Sequence, residues 1–578
     1  MNNKYFRIIT SILLSISVYY LFSSSNILSI MSLLFSYMSF EIIKKYKCKK
    51  LPYILSFIGT VIYILGYSLY YHMTFDYFFT SIKLFIILVI SLFSITIVMG
   101  NCLYYIFECI KKCNIFNKEE SKFNFIKVWL LVIIGHLPIY IAYFPGIYAY
   151  DIRMQHIEFY GTLTKYHPPL HTFIWILCEK ISVILHLSVL TVYSFIQLVL
   201  VTLVITFILK FLHKQKVKKS ILIISYIMLV INPIVSIFSI ITTKDVYFAM
   251  SFAFVIMLLY EFTLNEEKFL KNPQRYTLLV IFIILSCLLR NNAVYAFIVL
   301  LFVVLIVYRK YYKYMLVIFA CPLLIFYTIN NPIYHALGIA EGNKREMLSV
   351  PIQQIGYVVK HHEKDIDKKT LDNVSKYIRI DDIKNYYNIR FADPMKNGFF
   401  TGEYEKDSKT FFKTWFKLFR EYPKDYLNAF LELNIPYWFI DAKGVDPYAD
   451  RVYLEDGLVF DGKAQRYEVR RSSFRSAIKL PVKWKKGYNF YHNFANYKYI
   501  KNTPILKTVF SLAFPFASMV FTIFVLIYKK LYKKILVVFL PFMYLMTFML
   551  GPVSNLRYLY PLMILYPIFL LLVFEKRK

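Results

Sequence analysis

The sequence lacks the motifs of several large protein classes. It contains no Gly-rich phosphate-binding loop, no CxxC pair, no HExxH motif and no internal repeat. Nucleotide hydrolysis, ATP-driven transport and structural zinc therefore have no support in the sequence. Only seven cysteines occur in 578 residues, and none lies in the long polar segment 331–500. We expect that segment to fold without disulfides.

Acidic residues are also scarce, with 35 Asp+Glu against 68 Lys+Arg and a net charge of +33. By contrast, 58% of the residues are hydrophobic and the mean hydropathy is +0.50. Such a composition lies outside the range of soluble globular proteins. The basic residues occur in short tracts between apolar runs, which favours the positive-inside rule and anionic lipid over nucleic acid as their explanation. The sequence predicts an α-helical polytopic membrane protein with no nucleic-acid partner.

Fourteen apolar runs are long enough to cross about 30 Å of hydrocarbon, and the first is interpreted as a retained span and not as a cleaved signal peptide. If the basic tracts are cytoplasmic, a further run at 169–184 does not cross, because a crossing there would place 210–219 outside. We interpret 169–184 as a juxtamembrane helix in the outer interface. The fourteen runs are 6–22, 27–43, 52–72, 81–107, 125–143, 188–210, 220–240, 246–264, 275–289, 293–308, 314–330, 503–527, 534–550 and 556–574.

Four regions follow from this pattern. Residues 1–123 form an N-terminal membrane extension of about four spans, and 124–330 form a membrane core with an outer loop at 144–187. Residues 331–500 form an extracytoplasmic domain, and 501–578 return to the membrane. Helical patterns in the domain lie near 350–361, 366–378, 407–420 and 423–434, and strand-like pieces lie near 451–470. These patterns predict a mixed α/β domain.

Polar residues concentrate between Phe144 and Thr172, at a predicted membrane boundary. Pro145-Gly146 ends the preceding helix, and a short helix then places Asp151, Gln155 and Glu158 on one face. An ordinary polar loop is the alternative interpretation. Further polar motifs are predicted on the same outer side, where a shared cavity is favoured over separate snorkelling anchors. These motifs are Lys244-Asp245, Arg290-Asn291-Asn292 and Ser554 to Tyr558.

Asp151 in YDIRMQ, followed by the His167-Pro168-Pro169 segment, resembles the GT-C superfamily of integral membrane glycosyltransferases. Most of the chain is also similar to a branch of bacterial membrane proteins assigned to that superfamily. The segments that carry this similarity are TTKDVYFA at 242–249, LLRNN at 288–292, SVPIQQIGYVV at 349–359, ADPMKN at 392–397 and NLRYLYP at 555–561.

The resemblance implies sugar transfer from a polyprenyl-phosphate donor to an acceptor hydroxyl on the outer face of a bacterial cytoplasmic membrane. The implied acceptor is a cell-envelope glycan, a teichoic acid or a lipid. Asp151 fits a general base, with Glu158 as the next carboxylate. Cations suit the departing phosphate. The expected phosphate-binding residues are Lys244, Arg290 and Arg557, and the expected substrate-binding residues are Gln155, His167, Asp245, Asn291, Asn292, Gln353 and Gln354.

Many GT-C members carry two neighbouring acidic residues in this loop, whereas Glu158 stands seven positions after Asp151. No cofactor is required by the expected chemistry. A divalent metal bound by Asp151, His156, Glu158 and His167 is the alternative. Two other functions stay open: a lipid or polysaccharide flippase, and a non-catalytic cell-envelope assembly protein. The flippase is disfavoured because the polar motifs gather at one face and no repeated halves occur.

Overall fold

The computed structural model describes residues 4–21, 26–44, 49–117, 122–442, 484–495, 498–500 and 503–576, and within these ranges the chain is helical. Strand-like pairing in these ranges is limited to five isolated bridges. The α-helices are Lys4–Leu21, Asn26–Ile43, Lys50–His72, Ile82–Lys112, Phe125–Ala142, Tyr150–Tyr160, Pro169–Leu185, Val189–Lys214, Lys219–Tyr226, Pro233–Phe238, Lys244–Leu264, Glu266–Leu270, Pro273–Leu289, Ala293–Val307, Tyr312–Met315, Cys321–Thr328, Tyr334–Ala336, Ser349–His362, Lys368–Ser375, Ile380–Tyr386, Asp393–Asn397, Thr401–Lys406, Ser408–Glu421, Pro423–Leu433, Ile435–Trp438, Lys485–Ala495, Pro504–Val509, Phe514–Tyr528, Ile535–Phe548, Tyr560–Met563 and Tyr566–Phe574.

Short 3₁₀ and π segments connect or extend several of these helices. The π segments are Ile227–Ile231, Leu316–Ala320 and Ile329–Ile333, and the 3₁₀ segments are Tyr77–Phe79, Arg309–Tyr311, Lys344–Leu348, Tyr532–Lys534 and Leu556–Leu559.

The chain is a helical membrane protein, but fourteen crossings are not supported. Each of the fourteen apolar runs contains helix, yet six helices in the described residues are long and apolar enough to cross a membrane. A seventh is added if Leu556–Met563 and Tyr566–Phe574, which bend by 46°, form one span. Proline explains part of the shortfall, because a ring without an N–H interrupts the hydrogen-bond ladder at positions such as Pro233 and Pro567. Continuous apolarity therefore does not imply one continuous helix.

The Lys244–Leu264 helix forms the centre of the membrane core and is buried along almost its whole length. It packs against the Val189–Lys214 and Pro273–Leu289 helices. Near its C-terminal end, Glu261 lies 3.3 Å from the Nζ atom of Lys214. Lys214 and Lys244 therefore lie near opposite ends of this helix.

The Pro169–Leu185 helix lies across the start of two long helices. The ring of His171 packs against Tyr193, in the second turn of Val189–Lys214, and against Tyr247, in the first turn of Lys244–Leu264. Trp175 also packs against Tyr193. These contacts hold the helix against both neighbours, and its placement in the outer interface stays a prediction.

The polar region has a hydrophobic core of its own, which we call the second core and which runs from Leu348 to Ala429. The four predicted helices are observed as Ser349–His362, Lys368–Ser375, Ser408–Glu421 and Pro423–Leu433. The expected α/β character is not supported, because the described part of this region contains helices and isolated bridges only. The strand-like pieces near 451–470 lie outside the described residues. Helix continues from the membrane core to Ala336, so the second core begins after the expected boundary at 331.

The N-terminal extension supports the region that contains the second core. The Tyr63 hydroxyl donates a 2.9 Å hydrogen bond to Asp441, and an Nη of Arg390 donates to the carbonyl of Tyr70 at 3.1 Å. Arg390 is itself paired with the buried Glu432. Helix Lys50–His72 therefore anchors the polar region to the membrane part of the chain.

Candidate functional site

Backbone pairing brings Asp151 next to Lys244. Gly146 has φ +141°, a conformation that favours glycine, and the chain then runs beside 240–242. The amide of Ile147 donates to the carbonyl of Ile240 at 3.1 Å, and the amide of Thr242 donates back to Ile147 at 3.0 Å. Asp151 lies in the first turn of its helix and Lys244 is the first residue of the next, so the pairing aligns two helix starts.

Asp151 forms ion pairs with two cations from distant parts of the chain. Its Oδ2 atom lies 2.8 Å from Nζ of Lys244 and 3.0 Å from Nη1 of Arg557. His167 completes what we call the Asp151 cluster, because its Nδ1 atom accepts a 3.0 Å hydrogen bond from Lys244. Burial raises the pKa of Asp151, but Arg557 and Lys244 outweigh it and hold the pKa well below its usual value. Burial, reinforced by Lys244, lowers the pKa of His167 to about 3, so His167 is neutral at physiological pH.

A second ion pair, between Arg290 and Asp245, lies behind the Asp151 cluster. Asp245 is 0% exposed and Arg290 is 7% exposed. The guanidinium carbon of Arg290 lies 4.8 Å from the ring centre of Phe548 and 4.7 Å from that of Tyr558. Nε of Arg557 lies 4.0 Å from Asp245, which connects the two ion pairs. The motifs predicted to share one side thus do meet, in two layers.

The Asp151 cluster lines a cavity of about 730 Å³, a size typical of small-molecule sites. A separate part of the lining comes from the region of the second core, and we call it the opposite wall: Arg345, Glu346, Asp393, Lys396 and Asn397. The amide of Ala392 donates to the carbonyl of Pro552 at 2.8 Å, and this bond holds that wall next to the segment that carries Arg557. Arg290 and Asp245 do not line the cavity, although a direct role in substrate contact is predicted for both.

Several other predicted site residues also point elsewhere. Their side chains form hydrogen bonds within the fold, so they are used for packing two elements together. Glu158 accepts from Thr164 at 3.1 Å, Gln155 bonds His171 at 2.8 Å, Asn291 donates to the Lys165 carbonyl at 3.3 Å, Asn292 donates to Thr547 at 2.8 Å, Gln353 donates to the Asn388 carbonyl, and Gln354 accepts from Trp415 at 2.9 Å.

Sequence reasoning missed the carboxylates of the opposite wall as site residues. Asp393, Lys396 and Asn397 belong to the ADPMKN segment, which stands out in the sequence, but nothing local to it indicates which side chains face a cavity. Glu346 has no motif around it. Its position depends on the bridge between 164 and 340 and on the 3₁₀ turn Lys344–Leu348.

The alternative metal site is not assembled by the described residues. His156 accepts a 3.0 Å hydrogen bond from the indole of Trp175, and Glu158 is bonded to Thr164. No group of three or more His, Cys, Asp or Glu side chains with the geometry of a metal site is found in the part of the chain that the structure describes.

Comparison with known proteins identifies a family for the chain. No curated protein and no solved structure matches the chain. One family model, described as "Family of unknown function (DUF6020)", matches residues 161–578. The match starts after Asp151 but includes Lys244, Arg557 and the whole second core. Because it covers well over half of the sequence, the chain belongs to the DUF6020 family.

Proposed function

We propose that the chain is a GT-C-type membrane glycosyltransferase. It transfers a sugar from a polyprenyl-phosphate donor to a hydroxyl of a cell-envelope glycan, teichoic-acid or lipid acceptor, on the outer face of a bacterial cytoplasmic membrane. The observation that carries the proposal is the carboxylate of Asp151 held between Lys244 and Arg557 at the wall of a large cavity. A carboxylate base and a pair of cations are the groups that this reaction needs.

The charge of the cavity supports a phosphodiester ligand. Among the described residues, four cations and three carboxylates line the cavity, and His167 is neutral. The net charge of the lining is therefore +1. A sugar phosphodiester carries one negative charge. The four cations are Lys244, Arg345, Lys396 and Arg557, and the three carboxylates are Asp151, Glu346 and Asp393.

Ligand exchange gives Asp151 its function as a base. With both cations bound to it, Asp151 has a pKa too low for efficient proton acceptance. The donor phosphate competes for Lys244 and Arg557, and loss of their full attraction raises the pKa of Asp151. The acceptor oxygen then bonds to C1 of the sugar while the bond from C1 to the phosphate oxygen breaks. The electron pair leaves with polyprenyl phosphate, and the acceptor proton passes to Asp151.

Arg290 and Asp245 are positioning residues in this proposal. They do not line the cavity, and Arg557 lies between Asp151 and Asp245. A buried carboxylate behind Arg557 limits the directions in which its guanidinium can turn. Arg557 is therefore presented to the cavity with its planar fork already oriented, which suits two phosphate oxygens.

The test uses the full chain in lipid nanodiscs with a panel of radiolabelled polyprenyl-phosphate hexoses and a cell-envelope acceptor fraction. Release of polyprenyl phosphate together with labelled acceptor is the expected result, and Asp151→Asn should abolish most of it. Movement of the intact donor across a proteoliposome bilayer without sugar release would support the flippase and overturn the proposal.

A further inference from the structure

The wall of the cavity opposite the Asp151 cluster has a different chemistry. Lys396 is 4% exposed, and its Nζ atom lies 2.5 Å from Oε2 of Glu346 and 2.7 Å from Oδ1 of Asp393. Burial lowers the pKa of Lys396, but Asp393 and Glu346 outweigh it, so Lys396 stays charged. One buried cation thus holds two carboxylates side by side. The second oxygen of Glu346 lies 3.6 Å from Nε of Arg345, and the second oxygen of Asp393 can accept hydrogen bonds.

The lining of the cavity also includes an aromatic side chain. Tyr166 lines the cavity and is 42% exposed. Its position is set by pairing of the neighbouring backbone, in which Lys165 donates to the Ala340 carbonyl at 2.9 Å. A Cβ added at Gly342 would lie 3.1 Å from the backbone nitrogen of Tyr166, so a larger residue there would crowd this backbone. Burial and then Glu346, Asp151 and Asp393 raise the pKa of the Tyr166 hydroxyl, so this hydroxyl stays protonated and can donate a hydrogen bond.

We propose that Tyr166, Glu346, Asp393 and Asn397 form a subsite for a polyhydroxylated sugar ring, across the cavity from the phosphate-binding pair Lys244 and Arg557. This inference rests on the proposed function, to which it adds the residues that recognise the sugar. A pair of fixed carboxylates and an amide accept from and donate to neighbouring hydroxyls. An aromatic ring covers the apolar C–H face of a sugar. This wall offers no excess positive charge to a second phosphate, because Lys396 and Arg345 are balanced by Glu346 and Asp393.

The same chemistry fits the sugar of the donor and a sugar of the acceptor. The first test is independent of catalysis and uses saturation-transfer NMR of methyl hexosides with the full chain in nanodiscs. Asp393→Asn and Tyr166→Leu should lose the signal. Asp372→Asn and Tyr386→Leu change exposed residues of the same region that do not line the cavity, and they should keep it.

The second test identifies the source of the sugar by comparing polyprenyl phosphate with a polyprenyl-phosphate hexose. If the subsite binds the donor sugar, Asp393→Asn should bind the sugar-bearing lipid roughly 10- to 100-fold more weakly, as expected for a lost hydrogen bond to a charged group. Binding of polyprenyl phosphate should be unchanged. If the subsite binds the acceptor, both lipids should bind normally and the acceptor KM should rise by a similar factor.

Two outcomes separate the inference from the function on which it rests. The sugar subsite would be overturned, and the proposed function left standing, if three variants all behaved like the wild type in hexoside signal, lipid binding and acceptor KM. These variants are Tyr166→Leu, Glu346→Gln and Asp393→Asn. Failure of polyprenyl phosphate to bind the wild-type protein, with the hexoside signal still lost in Asp393→Asn, would overturn the phosphate assignment and leave the subsite standing.

Discussion

The Nζ atom of Lys244 lies 2.8 Å from the carboxylate of Asp151, although 93 positions separate the two residues in the sequence. Arg557, which is 406 positions away, binds the same oxygen at 3.0 Å. Three segments of the chain therefore meet at one atom. Removal of any one partner therefore leaves the other two with uncompensated charge in a largely buried place.

Replacement of Asp151 by Asn keeps its size but removes the proton acceptor. Turnover should fall by roughly 10²- to 10⁴-fold. Donor binding should be retained or strengthened, because Lys244 and Arg557 no longer have a competing carboxylate. Sugar transfer and donor binding are measured in parallel, with Glu158→Gln as the control because Glu158 does not line the cavity. Normal transfer by Asp151→Asn would exclude it as the base.

Arg557→Ala should weaken both donor binding and turnover. A charge-assisted hydrogen bond contributes in the ground state, so binding of polyprenyl phosphate should fall roughly 10- to 100-fold. Arg275→Ala is the matched control, since Arg275 stands near Glu261, at the end of the membrane core away from the cavity. Equal donor binding by the two variants would contradict a phosphate-binding role for Arg557.

Arg290→Met should affect stability more than substrate contact. It leaves the fully buried Asp245 without its main partner, which typically costs about 3–5 kcal/mol. The double variant Arg290→Met/Asp245→Leu removes both charges and should recover much of that loss. The measurement is the thermal unfolding midpoint in detergent. A midpoint for Arg290→Met that equals the wild-type value would mean that the pair is not buried as the structure has it.

The free energy of unfolding should decrease as the pH falls below about 6.5, because His167 is held neutral in the folded protein. Its pKa in the folded protein is about 3, whereas an unfolded histidine has a value near 6.5. Between these values the unfolded chain binds a proton that the folded protein does not, so folding loses up to about 1.4 kcal/mol per pH unit from this site. Above pH 6.5 the site contributes no pH dependence.

Comparison of unfolding midpoints from pH 7 to pH 5 tests this expectation. His167→Asn should show a shallower loss than the wild type, and His186→Asn, which changes an exposed histidine, should show the same loss as the wild type. Parallel curves for His167→Asn and wild type would contradict the low pKa of His167.

Two glycines of one helix provide a test of how the N-terminal extension contacts the rest of the chain. A Cβ at Gly66 would overlap the ring of Phe439, whereas nothing lies within 4 Å of a Cβ at Gly59. Gly66→Ala should therefore destabilise by about 1–3 kcal/mol through overpacking. Gly59→Ala should be neutral or stabilising by up to about 1 kcal/mol, because alanine favours helix. Similar unfolding midpoints for both variants would show that the extension is not packed against Phe439.

Local pattern determined much of the helical structure. The four helices expected in the polar region occur within a few residues of their predicted positions, because amphipathic periodicity reports the buried face of a single helix directly. The number of crossings was overestimated for the opposite reason. Hydropathy measures apolar length but does not report the bends at residues such as Pro233, so one apolar run and one straight spanning helix are different things.

For the site, the sequence by itself predicted that Asp151, Lys244, Arg290 and Arg557 come together, and the ion pairs among these motifs agree with that prediction. The alternation of fourteen crossings is not supported, so the informative signal was the presence of charged motifs at the ends of apolar helices. Only the tertiary structure decided which of them face the cavity. Arg290 is turned towards Asp245 and two aromatic rings, Glu158 is turned towards Thr164, and the carboxylates of the opposite wall come from Glu346 and Asp393. The physical reason is that the end of a helix fixes only the position of the backbone from which a side chain extends. The direction of the side chain depends on the packing of segments up to 406 positions apart.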